Sequence, residues 1–307
     1  MTTKNKNLKY IIIILLSITF LILAYIFING VTSKNNNSSV NSDNKSENSV
    51  YSNLIESIDD NIKNNNKKNR FENVSLTSDN IGIPVLYYHS VDENAANEVT
   101  ITPEKLKEQL DYINDNNYVT ITMTELYDHI ENNKPIPEKS ILITFDDGYM
   151  NNYTEAFPML KELNMTATIF CVGNSLDGSY YLSEEAIKEM SDYGIDIESH
   201  TVNHVHLDTM SYDEQLLELK NSKNILEKIT GKEVLSLAYP FGDYNDNTIK
   251  AAKDAGYKMG FTTKLGLSDR TDDIYKLDRI YISSSYDMNT FKNLLKNTAK
   301  GTVDRFV

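Results

Sequence analysis

From residue 81 onward the sequence predicts an α/β fold built on a parallel sheet, open or closed into a barrel. Three observations carry this. Short apolar runs alternate with segments of helical periodicity, and the connections between them are short. The polar residues that look chemical fall just after the apolar runs, where parallel α/β barrels carry their sites.

The elements follow in order. Residues 83–88 read as a strand, and 103–114 as a helix with Pro103 at its start, where a missing N–H costs nothing. A short strand at 118–121 and a helix at 124–130 come next. Residues 141–145 (Ile-Leu-Ile-Thr-Phe) form a buried strand, followed by a helix at 153–163. The β-branched run 166–172 is a strand, and 183–190 a helix capped by Ser183 with acids in its first turn. Residues 195–198 are a strand. A long helix, 211–229, ends at Gly231. A strand at 235–239, a helix at 247–255 closed by Gly256 and a strand at 257–262 follow. A last strand at 280–283 and a last helix at 289–297 complete the series. No internal repeat underlies it.

Composition limits function. The chain has 307 residues and a formal net charge of −14. An acidic surface excludes a polyanionic partner such as nucleic acid. The single cysteine, Cys171, permits no intramolecular disulfide and sits in an apolar run, as a small core residue does. A domain of this size buries enough core without disulfides, so export is not excluded.

The N-terminus carries a membrane signal. Residues 11–28 are almost unbroken apolar side chains, interrupted by Ser17 and Thr19. Eighteen helical residues cover roughly 27 Å, enough to cross a bilayer core. Lys4, Lys6 and Lys9 precede the run, so the expected orientation is tail inside and remainder outside. A retained anchor is expected over a cleaved signal peptide, because no small-x-small site follows the run. The expected organisation is a cytoplasmic tail at 1–9, a transmembrane anchor at 10–29, a flexible Asn/Ser/Lys/Asp-rich linker at 30–80 and a folded domain at 81–307. Within the linker, 50–62 has the spacing of one short amphipathic helix.

The chemistry is concentrated in two runs. Thr144-Phe145-Asp146-Asp147-Gly148 follows one apolar strand. His200-Thr201-Val202-Asn203-His204 follows another. Two imidazoles and a carboxylate can hold a cation while leaving positions open, and a second carboxylate can take a proton from water. Adjacent residues at a strand end point apart, so Asp146 and Asp147 can divide these duties. His206 is expected to be a supporting or surface residue. His129 is expected on a solvated helix face beside Asp128 and Glu131.

Together the TFDDG run, the H-T-x-x-H run and the Ala238-Tyr239-Pro240-Phe241-Gly242 strand end resemble the NodB-homology polysaccharide deacetylases, carbohydrate esterase family 4. The resemblance spans roughly residue 81 to the C-terminus. The opening Ile83-Pro84-Val85-Leu86-Tyr87-Tyr88-His89-Ser90 is similar to that of a subgroup including poly-N-acetylglucosamine deacetylases. The resemblance implies a distorted (β/α) barrel of about seven strands. It implies Asp147, His200 and His204 as metal ligands, with zinc expected and cobalt or iron as alternatives. It implies Asp146 as catalytic base and the Phe241 backbone N–H as oxyanion donor, because Pro240 has no N–H to offer. Tyr239 and Phe241 are expected to offer a flat apolar wall to a sugar.

Two departures from the family pattern stand out. An Arg that orients the base in many members is replaced by Ala238, and no His follows His206 to act as general acid. Arg279, in Leu277-Asp278-Arg279-Ile280, resembles an L-P-R-I run of the subgroup and is the expected partner of Asp146. His89 is the expected acid on the same resemblance. The implied activity is metal-dependent N-deacetylation of N-acetylglucosamine in a cell-surface polysaccharide, exopolysaccharide or peptidoglycan. Two alternatives stay open: a glycan-binding protein that has lost catalysis, and a metal-dependent esterase or amidase on another acyl substrate.

Overall fold

The computed structural model describes residues 70–298. Seven strands close into a parallel barrel: β1 (Val85–Tyr88), β2 (Ser140–Phe145), β3 (Thr168–Cys171), β4 (Asp196–Ser199), β5 (Ser236–Ala238), β6 (Met259–Leu265) and β7 (Leu277–Tyr281). Each pairs with its successor, and β7 returns to β1 through Ile280↔Leu86 and Tyr281↔Tyr87. Sequential parallel pairing needs a crossover at every step, and helices supply most of them. Between β1 and β2 lie α1 (Pro103–Asp115) and α2 (Met123–Asn132). Then come α3 (Phe157–Glu162), α4 (Glu184–Tyr193), α5 (Tyr212–Thr230) and α6 (Asp246–Ala255), one per crossover. A loop without helix joins β6 to β7, and α7 (Met288–Thr298) follows β7.

Local chemistry sets these boundaries. Thr122, Ser211 and Asn245 close capping boxes on α2, α5 and α6, and Ser183 caps α4. Gly194, Gly231 and Gly256 end their helices in the left-handed conformation.

Side chains alternate along the strands between two apolar clusters. Val85, Leu142, Phe170, Ala238, Met259, Phe261 and Leu277 fill the inside of the barrel. Leu86, Ile143, Ile169, Ile197, Leu237 and Ile280 pack outward against the helices, among them Leu110, Leu160, Ile187, Leu219 and Phe291. Counting in twos from the inner residues toward the strand C-termini reaches His89, Asp146, His200 and Arg279. The period of the strand therefore aims four polar side chains at one end of the barrel axis. The opposite end is stopped by α2. Its Met123, Leu126 and Ile130 join the inner cluster, and the Met123 N–H donates to Asp196 Oδ2 at 2.6 Å.

Three expectations require correction. The last strand starts at Leu277 rather than at 280, because it carries two buried charges that an apolar-run criterion rejects. Asp278 is 7 % exposed and paired with Lys264, and Arg279 is fully buried. The helix expected at 153–163 opens as a π-turn, Asn152–Ala156, whose Asn152 Nδ2 donates to the His89 carbonyl at 2.7 Å. His129 is not solvated: the α2 face that plugs the barrel is inward, and His129 is 0 % exposed. Its Nδ1 lies 3.0 Å from the Lys134 carbonyl, and Arg270 Nε donates to its own carbonyl at 2.9 Å.

Among the described residues no helix is long and apolar enough to cross a membrane. The anchor expected at 10–29, the linker and the short helix expected at 50–62 lie outside the described residues, apart from 70–80. Within that stretch Leu76–Thr77 pairs antiparallel with Ile136–Pro137.

Candidate active site

The turn after β2 separates its two carboxylates by backbone geometry. Asp146 continues the strand and points into the barrel, 3 % exposed. Asp147 sits at φ +73° and Gly148 at φ +73°. A left-handed non-glycine residue is costly, on the order of 1–3 kcal/mol, and concentrates at functional sites. Glycine suits position 148 on two counts: its φ is left-handed, and a Cβ would crowd Cys171, at 3.2 Å from Sγ and 3.3 Å from Cα. Cys171 itself is a buried free thiol, as expected of a core residue.

Asp146 is gripped by Arg279. Nη1 donates to Oδ1 at 2.8 Å and Nη2 to Oδ2 at 2.9 Å, while Nε donates to the Thr262 carbonyl at 2.9 Å. The guanidinium lies over the Tyr87 ring, 4.1 Å from its centroid. Burial pushes the Asp146 carboxyl up, but Arg279, then His200, outweigh it and hold the group below the usual carboxylate range. Arg279 thus reaches Asp146 from β7, the pairing that the sequence led us to expect.

Asp147, His200 and His204 converge. Asp147 Oδ1 is 3.4 Å from His200 Nε2 and 3.2 Å from His204 Nε2. One ligand atom from each residue lies within 4.8 Å of the others. His200 Nδ1 donates to the Ala238 carbonyl at 2.8 Å, which leaves the lone pair on Nε2 facing Asp147. Burial holds the His200 pKa below its ordinary value despite the nearby carboxylates. Asp147 Oδ1 is enclosed and lacks a properly oriented hydrogen-bond donor. A buried acceptor facing a second lone pair is unfavourable unless a cation lies between them. The residues fit a divalent metal.

His89 stands at the end of β1, half-buried, close enough to add to the lowering of both carboxylates. Its Nδ1 is enclosed and has no hydrogen-bond partner. Phe241, at φ +60°, follows Pro240 in the turn after β5 and is 54 % exposed. Its ring stacks on His206 with centroids 4.0 Å apart and meets the His204 ring at 4.6 Å. Tyr239 does not form a sugar wall. It is 0 % exposed, and its hydroxyl donates to the Tyr275 carbonyl at 2.8 Å, so only Phe241 of that pair reaches the surface. His206 is on the surface as expected, paired with Asp243 at 2.7 Å.

Sequence reasoning missed an aromatic cluster beside the site. Tyr149 packs against Tyr181 (5.4 Å, stacked) and Tyr180 (5.3 Å, edge-on), and Tyr180 is 63 % exposed. Backbone bonds tie the segment to the carboxylate turn: Met150 N–H to Tyr180 O and Leu182 N–H to Gly148 O, each 2.9 Å. Tyr149 directly follows Gly148, which was the available signal.

Comparison with known proteins places the chain in a family. A family model described as polysaccharide deacetylase matches residues 133–260. That span holds Asp146, Asp147, His200, His204 and Phe241, and leaves out His89 and Arg279. YxkH of Bacillus subtilis (strain 168), which carries the provisional name of a polysaccharide deacetylase, is 37% identical over 209 residues, covering 68% of this chain and 74% of its own. The poly-beta-1,6-N-acetyl-D-glucosamine N-deacetylase of Staphylococcus epidermidis is 30% identical over 212 residues, covering 64% of this chain and 71% of its own. The structure of the Streptococcus pyogenes deacetylase PplD in complex with acetate superposes with a TM-score of 0.67 at 30% identity, over 70% of this chain and 99% of that one. The chain belongs to the polysaccharide deacetylase family. It is a hydrolase acting on carbon–nitrogen bonds.

Proposed function

We propose that this protein is a metal-dependent N-deacetylase of an N-acetylglucosamine-containing cell-surface polysaccharide. The observation that carries the reading is the division of labour between adjacent carboxylates, Asp147 turned to two imidazoles and Asp146 to Arg279. The named activities of the relatives support the substrate class: the poly-N-acetylglucosamine deacetylase above and a peptidoglycan-N-acetylglucosamine deacetylase of Bacillus cereus, 35% identical over 125 residues. The chain spans about half of the latter's length.

A divalent cation held by Asp147, His200 and His204, zinc before cobalt or iron, supplies Lewis acidity at an acetyl carbonyl and a lowered pKa for water. Asp146, ionised and fixed by Arg279, accepts the proton of the attacking water. The oxygen adds to the acetyl carbon, and the Phe241 N–H donates to the developing oxyanion. The carbon–nitrogen bond then breaks. His89 delivers a proton to the leaving nitrogen, and glucosamine and acetate are released. The exposed Tyr180 ring and Phe241 flank the site and suit the apolar faces of a sugar chain. The apolar stretch at 11–28 would hold the catalytic domain outside the membrane, near such a polymer.

The test is acetate release by the full chain, with added zinc or cobalt, from poly-N-acetylglucosamine oligomers and from peptidoglycan in parallel. Chelator-sensitive release from one of them, abolished by Asp146→Asn with metal retained, is the expected result. Wild-type turnover in Asp146→Asn, or no release by a metal-loaded enzyme, overturns the reading.

A further inference from the structure

The two ligating histidines are held in different ways. His200 is locked by its own ring, through Nδ1 to the Ala238 carbonyl. A second anchor of this kind is the usual device for orienting a ligating imidazole. His204 has none: among the described residues its Nδ1 takes part in no hydrogen bond, and its side chain is 30% exposed. Its position must come from the backbone that carries it.

That backbone is strained. Thr201 sits at φ +66° and His204 at φ +53°. A β-branched residue in the left-handed region persists only where its surroundings hold it there. One side of the turn is tied to the segment after β3, where Gly173 N–H donates to Thr201 O and Asn174 N–H to Val202 O, both at 2.9 Å. The His204 N–H closes the turn on Thr201 Oγ1 at 3.0 Å. The N–H groups of Val202 and Asn203 face the other way, toward α5.

We propose that Glu218, on α5, is the positioning residue that sets His204 for metal binding. This rests on the reading of Asp147, His200 and His204 as a metal site. Glu218 Oε2 accepts from the Val202 N–H at 3.0 Å and from the Asn203 N–H at 3.2 Å. Its Oε1 accepts from Asn203 Nδ2 at 2.5 Å. The carboxylate thereby satisfies both outward N–H groups of the turn and the one side chain beside them. It joins the second turn of a nineteen-residue helix to the loop that bears the less anchored ligand. Charge-assisted bonds to main-chain N–H groups are the stronger kind, which suits a strained segment.

The experiment measures zinc affinity of the full chain by competition with a chromogenic chelator, with Tm of the metal-free protein alongside. Glu218→Ala is expected to weaken zinc binding about 10- to 100-fold, the range for loss of a supporting contact behind a ligand. Glu218→Gln keeps an acceptor for the two N–H groups and should recover most of the affinity. Should Glu218→Ala fail to fold, Glu218→Asp, whose shorter stem cannot reach the turn from the same helix position, carries the same expectation. Glu214→Ala is the control. Glu214 caps α5 through Ser211 and makes no hydrogen bond to the turn, so its loss lowers Tm without changing zinc affinity. Zinc affinity within twofold of wild type in a folded Glu218→Ala or Glu218→Asp protein overturns the proposal, as does an equal loss in Glu214→Ala. Zinc binding by the wild type tests the metal site itself, and acetate release tests the proposed activity, so the three fail separately.

Discussion

Arg279 and Asp146 form a two-pronged ion pair, 2.8 and 2.9 Å, with side chains 0% and 4% exposed. Removing one partner of such a pair leaves a charge without water or counter-ion and costs about 3–5 kcal/mol. Arg279→Met is therefore expected to lower the urea midpoint strongly, and Arg279→Lys less, since a point charge cannot satisfy both oxygens.

The same pair governs the ionisation of Asp146. Arg279 holds the Asp146 pKa down against burial, so the carboxylate contributes stability above the ordinary range near 3.8 and loses it as pH falls through its folded value. In Arg279→Lys the burial effect gains ground and the pKa rises. The acidic limb of the kcat/KM profile should move to higher pH, measured between pH 4 and 8. An unmoved limb would mean that Arg279 does not tune Asp146, or that Asp146 is not the group that sets the limb.

His89 carries the next expectation. It stands half-buried at the end of β1 beside both carboxylates, which suits a proton donor to a substrate at that end of the barrel. His89→Gln should lower kcat by about 10²–10⁴-fold, the usual contribution of a general acid, with KM little changed. A variant that retains kcat would remove His89 as the proton donor.

Much of this site was legible because strand periodicity and strand-end position do the aiming. Asp146, Asp147, His200 and His204 were identified by residue type and spacing, and the closed barrel places them together. Arg279 was legible only through a resemblance, since a charged residue in a strand contradicts the apolar pattern that marks strands. Its burial is paid for by a partner 133 residues earlier, which no local window contains. Tyr239 and His129 went the other way. Both have polar atoms, and both are fully buried because a distant carbonyl or the stopper role of α2 satisfies them. Glu218 and Tyr180 gave no signal, because a Glu on a helix and a Tyr in a loop are ordinary until the turn beside each is known.

Tyr180 is expected to act on binding rather than chemistry. Its ring is held on the carboxylate turn by the Tyr149–Tyr181 pairing yet faces solvent. Tyr180→Ala should cut kcat/KM about tenfold on an N-acetylglucosamine pentamer, a loss of about 1.4 kcal/mol, and leave a dimer unaffected. Tyr180→Phe should behave as wild type. Equal losses on both substrates would point to a displaced carboxylate turn rather than a sugar contact.

The stopped end of the barrel carries the last prediction. Burial pushes the Asp196 carboxyl up to about 6, against the Met123 N–H and Lys232, with Glu125 adding to the rise. A folded-state pKa above the unfolded value means that the native state holds the extra proton. Stability from this group is complete below pH ~3.8 and falls as pH rises toward and through 6. Asp196→Asn keeps an oxygen for the Met123 N–H and has no proton to lose. Since part of Asp196 still meets water, the gain at pH 8 should be roughly 1–3 kcal/mol, fading by pH 4. Urea midpoints at pH 4, 6 and 8 would show it as a widening gap between variant and wild type. A gap of the same size at all three would assign the effect to packing beneath α2 and not to ionisation.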